Sequence, residues 1–134
     1  MRRGDPGAVL ALAWGMGRDH TKLRIFQRAD ALVDRAYIST KALPPDERFG
    51  LQAQIRRAAI SIPANIAEGS ARDSVADYCR FLAMARGSAR ECAYLLAVAH
   101  RLGYLPDDAL GLSGDYDHLS ASLHAAIRTL RTIE

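Results

Sequence analysis

The chain has 134 residues, 49% of them hydrophobic and 25% charged, and 18 Lys+Arg against 15 Asp+Glu give it a formal charge of +3. That balance fits one globular domain whose core needs no metal or disulfide staple, and it excludes a disordered chain. No stretch approaches the ~20 apolar residues of a membrane-spanning helix, and Cys79 and Cys92 read as free thiols of a reducing, cytoplasmic compartment.

Residues 1–20 stand apart as an extension expected to be disordered. Arg2 and Arg3 ahead of Ala8 to Trp14 imitate a signal peptide, but Asp5, Pro6 and Gly7 interrupt the run and leave its apolar part too short. The alternative to a disordered extension is upstream sequence ahead of a true start at Met16.

Four helices follow over residues 21–134. The first is expected from Thr21 to Lys41, because Phe26, Ala29, Leu32, Val33, Ala36 and Tyr37 recur at steps of three and four and build one apolar stripe. Pro44 stops it by pushing Leu43 out of helical geometry. The second is expected from Pro45 or Asp46 to Glu68, with acidic Asp46 and Glu47 at its positive end. Its stripe is Leu51, Ile55, Ala58, Ala59, Ile62 and Ile66, with a kink at Pro63 and Gly69 in the left-handed position past its end.

The third helix is expected from Ser74 to Leu102. Ser74 and Asp77 form an imperfect capping box, Val75, Tyr78, Phe81, Leu82, Ala85, Cys92, Leu95, Leu96, Ala99 and Leu102 are expected to face the core, and Gly103 closes it. The fourth is expected from Ser113 to Ile133 on Tyr116, Leu119, Leu123, Ile127 and Leu130. Short connections favour antiparallel neighbours, so the fold class is all-α, an up-down-up-down antiparallel four-helix bundle.

A second, polar stripe runs beside the apolar one. Gln54, Arg57, Ser61, Asn65 and Glu68 share a face of the second helix, opposed by Asp77, Arg80, Met84, Gly87, Ser88 and Glu91 of the third. A hairpin turning near Ala71 sets Asn65 near Asp77 and Gln54 near Ser88, with Arg57 in reach of Glu91. Gly87 costs about 1 kcal/mol against Ala in a helix interior, which a close backbone approach would explain. Buried polar groups normally occur as paired sets, so the seam either satisfies itself or lines a contact between subunits. The sharper reading makes it a ligand or nucleic-acid surface.

Nucleic-acid contact has its candidates in Arg56, Arg57, Arg72, Arg80, Arg86 and Arg90. Repeated around a ring, these would concentrate a modest charge into a positive surface. Aromatic interleaving is poor, so the expected form is phosphate contact without base reading. The competing expectation pairs the same arginines with Glu47, Glu68, Asp73, Asp77 and Glu91. Other chemistries find little footing. Asp115 and His118 at i, i+3 lack the second such pair that a di-metal site in a bundle needs, and no glycine-rich phosphate loop or nucleophile elbow occurs. No metal, cofactor or catalytic residue is expected.

The run ERFGLQAQIRRAAISIPANIAEGSAR, Glu47 to Arg72, resembles the signature of the four-helix-bundle proteins encoded in 23S ribosomal-RNA intervening sequences. Phe26-Gln27, Leu43-Pro44, Arg80-Phe81-Leu82 and Ala85-Arg86-Gly87-Ser88 with Glu91 agree with it, across Leu23 to Leu105. Tyr78, Ala71, Ala89 and Cys92 depart from the family pattern. The resemblance implies a closed homopentamer without enzymatic activity. The chain is also similar to the accessory variability proteins of diversity-generating retroelements, which share the bundle and ring and bind a reverse transcriptase and nucleic acid. By analogy of fold, expected partners are copies of the chain itself, structured RNA or DNA, and a reverse transcriptase. The alternative is a protein-binding scaffold with no nucleic-acid role.

Overall fold

The computed structural model describes residues 19–133, so the proposed extension over residues 1–20 and its Met16 start lie outside them, Asp19 and His20 excepted. Among the described residues the regular structure is helical throughout. A short 3-10 turn, His20–Lys22, precedes α1, Arg24–Thr40; a second, Pro45–Glu47, precedes α2, Leu51–Ser70; then come α3, Val75–Arg101, and α4, Ala109–Arg131.

The apolar stripes fall where periodicity sets them except at Leu102, which is 53% exposed past the helix end. Several boundaries move: the first helix starts at Arg24 rather than Thr21, after its own 3-10 turn, and the fourth ends at Arg131 rather than Ile133. The expected start of the second helix at Pro45 is corrected to Leu51. Pro44 and Pro45 build a 3-10 turn, and Gly50 takes φ −101°, ψ −112°, so the chain re-enters helical geometry only afterwards. The Glu47 carboxylate accepts the Leu51 N–H at 3.0 Å and satisfies one of the donors a helix start leaves open.

At its other end α2 runs unbroken through Pro63 and past Glu68 to Ser70. Gly69 is therefore not the left-handed cap expected of it. A Cβ there would lie 2.8 Å from Phe81 Cβ and 3.0 Å from the Tyr78 ring, so its glycine lets α2 and α3 touch. The close approach expected at Gly87 belongs here instead, since a Cβ on Gly87 would meet nothing within 4 Å.

α3 starts and stops as its punctuation dictates. Ser74 Oγ accepts the Asp77 N–H at 3.1 Å. Gly103, at φ 81°, turns the chain so that the Tyr104 N–H reaches back to the Ala99 carbonyl at 2.9 Å. The fourth helix begins at Ala109 rather than Ser113, because the turn after Pro106 already bonds Ala109 N–H to the Pro106 carbonyl at 3.0 Å.

Each helix packs on the next, and α1 also meets α4. Cross-helix partners run in opposite senses along three of these pairs. Arg28 donates to Ser122 while Arg35 holds Asp115; the Cys92 thiol reaches the Ile55 carbonyl while Ser88 bonds Ser61. Ser113 bonds the Ala93 carbonyl while Arg86 bonds His124. Ile55, Ile62, Ile66, Leu82, Leu96, Leu119, Leu123 and Ile127 are sealed inside, each worth about 2 kcal/mol of burial. Tyr116 is buried with them, its hydroxyl donating to the Leu32 carbonyl at 3.0 Å. Among the described residues no helix is long and apolar enough to cross a membrane.

Candidate assembly seam and arginine cleft

The polar stripe of α2 meets α3 as expected, but in a different register. Ser61 lies against Ser88, the residue expected beside Gln54, and the two hydroxyls are hydrogen-bonded. α2 runs two residues past its expected end to Ser70, and the next helix starts only at Val75, so the hairpin bend lies beyond Ala71. Asn65 turns back to donate to the Ser61 carbonyl at 2.8 Å rather than reaching Asp77.

The end of the seam nearest the bend is self-satisfied. Arg72 binds Glu68 and approaches Asp77 at 3.7 Å, Arg80 donates to Asp77 at 3.0 Å, and both guanidiniums lie 4.6 Å from the Phe81 ring centroid. The other end differs. Gln54, Arg57 and Glu91 are exposed, and their side chains make no hydrogen bond or ion pair among the described residues. The expected Arg57–Glu91 contact does not form within the chain. Ile60, Met84 and Tyr94 are exposed apolar neighbours in the sequence of these two helices, Tyr94 at 63%.

The six arginines read as one surface therefore have different roles. Arg56 is locked between α2 and α1: Nε donates to Thr40 Oγ1 at 2.9 Å, Nη2 to the Tyr37 carbonyl at 3.1 Å, and the guanidinium lies 4.5 Å from the Tyr37 ring centroid. Two of its five N–H donors are thus used to clamp α2 to α1. Arg72 and Arg80 serve the bend. Arg57 faces solvent.

Arg86 and Arg90 line a cleft of about 450 Å³ between α3 and α4, with Gly87, Asp117, Ser120, Ala121 and His124. Arg86 Nη1 donates to His124 Nδ1 at 2.9 Å. Arginine has no acceptor, so that ring nitrogen carries a lone pair and the proton of the neutral imidazole sits on Nε2. Arg90 reaches Asp117 at 3.4 Å, and both side chains are largely in water, so the pair is weak. Asp117, Ser120 and His124 escaped the sequence reading. Their steps of three and four put them on one face of the fourth helix, but nothing local says that this face borders Arg86 and Arg90.

The thiols offer no site chemistry. Cys92 is buried, its hydrogen bond runs to a carbonyl, and burial, reinforced by Glu91, raises its pKa to about 12; a thiol so held is a poor nucleophile. Asp115, half of the one spacing that suggested a metal, is taken by Arg35, and no group of three metal-ligating side chains gathers among the described residues.

Residues 21–125 match the sequence pattern of a protein family described as 23S rRNA-intervening sequence protein. No curated protein matches the chain.

Proposed function

The chain belongs to the 23S rRNA-intervening sequence protein family, and on that premise we propose a non-enzymatic, cytoplasmic scaffold: an up-down-up-down antiparallel four-helix bundle that assembles with copies of itself through the open end of the α2–α3 seam. The observation that carries this reading is the pair Arg57 and Glu91. They are opposite charges on one face, both exposed and both without a partner among the described residues, beside apolar side chains that water does not favour. A face carrying both signs is complementary to a copy of itself turned or shifted, so Arg57 of one subunit meets Glu91 of the next. A head-to-tail contact of that kind closes into a ring when its rotation allows, and the family resemblance favours five subunits in it.

Light scattering on the eluting protein tests this. Arg57→Glu and Glu91→Arg each lower the mass toward that of a monomer, and the double swap restores the oligomer. A wild-type monomer, or single swaps that leave the mass unchanged, would sink the reading.

A second reading, nucleic-acid association, rests on the α3–α4 cleft. Arg86 and Arg90 border the cleft together, and each keeps donors beyond the one given to His124 or Asp117, whereas Arg56 and Arg72 are each held by two partners of the bundle. It is a narrower surface than six arginines, and binding through it is expected to fall steeply with salt. A reverse transcriptase remains a partner by analogy of fold alone.

A further inference from the structure

The α3–α4 cleft pairs donors with one acceptor in a way that a uniformly basic patch does not. At one end Arg86 spends a single donor on His124, leaving the rest of its planar fork for the two oxygens of a phosphate. The same hydrogen bond fixes the imidazole tautomer, so His124 Nε2–H is a further neutral donor. Between the helices the floor is small: Gly87, Ser120 and Ala121. Ser120 Oγ is held only by a 3.5 Å bond to the Arg86 carbonyl, and Gly87 has open space where a side chain would stand. Gly87 thus serves no packing need inside the chain, and its missing side chain keeps the cleft open.

The other end carries Asp117 and Arg90. Because α3 and α4 pair in opposite senses, Arg90 lies one turn along α3 from Arg86, about 6 Å, and Asp117 lies two turns along α4 from His124, about 10 Å, on the same side of the cleft as Arg90. An ionised carboxylate only accepts hydrogen bonds, and it repels a bare oxyanion. The arrangement suits a ligand with an anionic group at one end and hydroxyl donors next to it. We propose that this cleft binds a ribose phosphate, with the phosphate on Arg86 and His124 and a ribose hydroxyl donating to Asp117. Arg90 positions Asp117 and screens its charge. The 2′-hydroxyl is the group by which a protein separates RNA from DNA, so the cleft prefers ribonucleotides to deoxyribonucleotides. This deepens the nucleic-acid reading by naming its ligand unit, and it is independent of the assembly seam on α2 and α3.

The test titrates the full chain, isotopically labelled for NMR, with uridine 5′-monophosphate, 2′-deoxyuridine 5′-monophosphate and unphosphorylated uridine at low salt. A fluorescent single-stranded RNA is followed in parallel by anisotropy. Uridine 5′-monophosphate shifts the His124 ring and Arg86 side-chain resonances and binds more tightly than the deoxy analogue, while uridine leaves them unmoved. Arg86→Gln weakens the monophosphate about tenfold, the loss of one charge-assisted hydrogen bond. Asp117→Asn removes the preference for ribose and leaves the deoxy analogue's affinity unchanged or higher. Unshifted His124 and Arg86 resonances, or equal affinity for the ribose and deoxyribose forms, would overturn the proposal. RNA binding that persists in Arg86→Gln would overturn it too, while keeping nucleic-acid association through another surface. Monophosphate binding without RNA binding would uphold the cleft as a nucleotide site and reject the strand-binding reading.

Discussion

Arg56 and Arg57 stand side by side in α2, about 100° apart around its axis, and the bundle treats them differently. Arg56 faces α1, where a ring, a hydroxyl and a carbonyl take its donors. Arg57 is exposed and meets none among the described residues. A charged side chain in a built pocket is part of the fold, because removing it strands the groups that were arranged around it. One left in water contributes little to stability and is free for a partner. The same contrast separates the two ends of the α2–α3 seam, paired at the bend and open around Arg57 and Glu91.

The sharpest way to break the comparison is to truncate the arginine that should matter most to folding. Arg56→Ala is expected to cost about 2–3 kcal/mol, from the lost charge-assisted bonds and the stacking on Tyr37, read as a lower denaturation midpoint. A cost no larger than that of Arg57→Ala would erase the distinction. Next in size is Gly69→Ala at the paired end. The new Cβ meets Phe81 and the Tyr78 ring, and overpacking of about 1–3 kcal/mol outweighs the ~1 kcal/mol of helix propensity gained. Gly87→Ala, where nothing is met, is expected to stabilise the isolated subunit by up to about 1 kcal/mol.

A smaller effect probes the inner face of α2 through the Cys92 thiol on the Ile55 carbonyl. Burial raises the folded pKa of Cys92 from 9.0 to about 12, and that of Tyr78 from 10.0 to about 12. The folded state keeps these protons while the unfolded chain releases them. Their contribution is whole below pH 9.0, falls as the pH rises, and is lost by about pH 12. Denaturant midpoints across that window should decline, and Cys92→Ala should flatten the first part of the slope. The smallest expected effect on stability is Arg57→Ala, within about 0.5 kcal/mol. Its consequence belongs to the mass of the assembly.

Much of the fold was legible in the residues. Ile55, Ile62 and Ile66, or Leu119, Leu123 and Ile127, repeat at helical spacing because each helix buries one side, and burial is the largest favourable term available to them. Ser74 and Gly103 marked their helix ends because a cap and a positive φ are local demands that one residue meets. Pro45 and Gly69 misled for the complementary reason. Proline at a first turn and glycine past a helix end are preferences, and here a 3-10 turn and the press of Tyr78 and Phe81 decide against them.

The candidate site was legible only as a set of residue types. The polar face of α2 and its opposition to α3 follow from period and antiparallel order. Which arginines are spent does not, because that depends on register and on side chains far apart in the chain: Arg56 on Tyr37 and Thr40, Arg86 on His124, Arg90 on Asp117. Helical period is a property of neighbouring residues, and so the sequence by itself determined the four helices, their inner faces and the family they belong to. The pairing of charges is a property of surfaces brought together from distant segments, and that only the packed tertiary structure could decide.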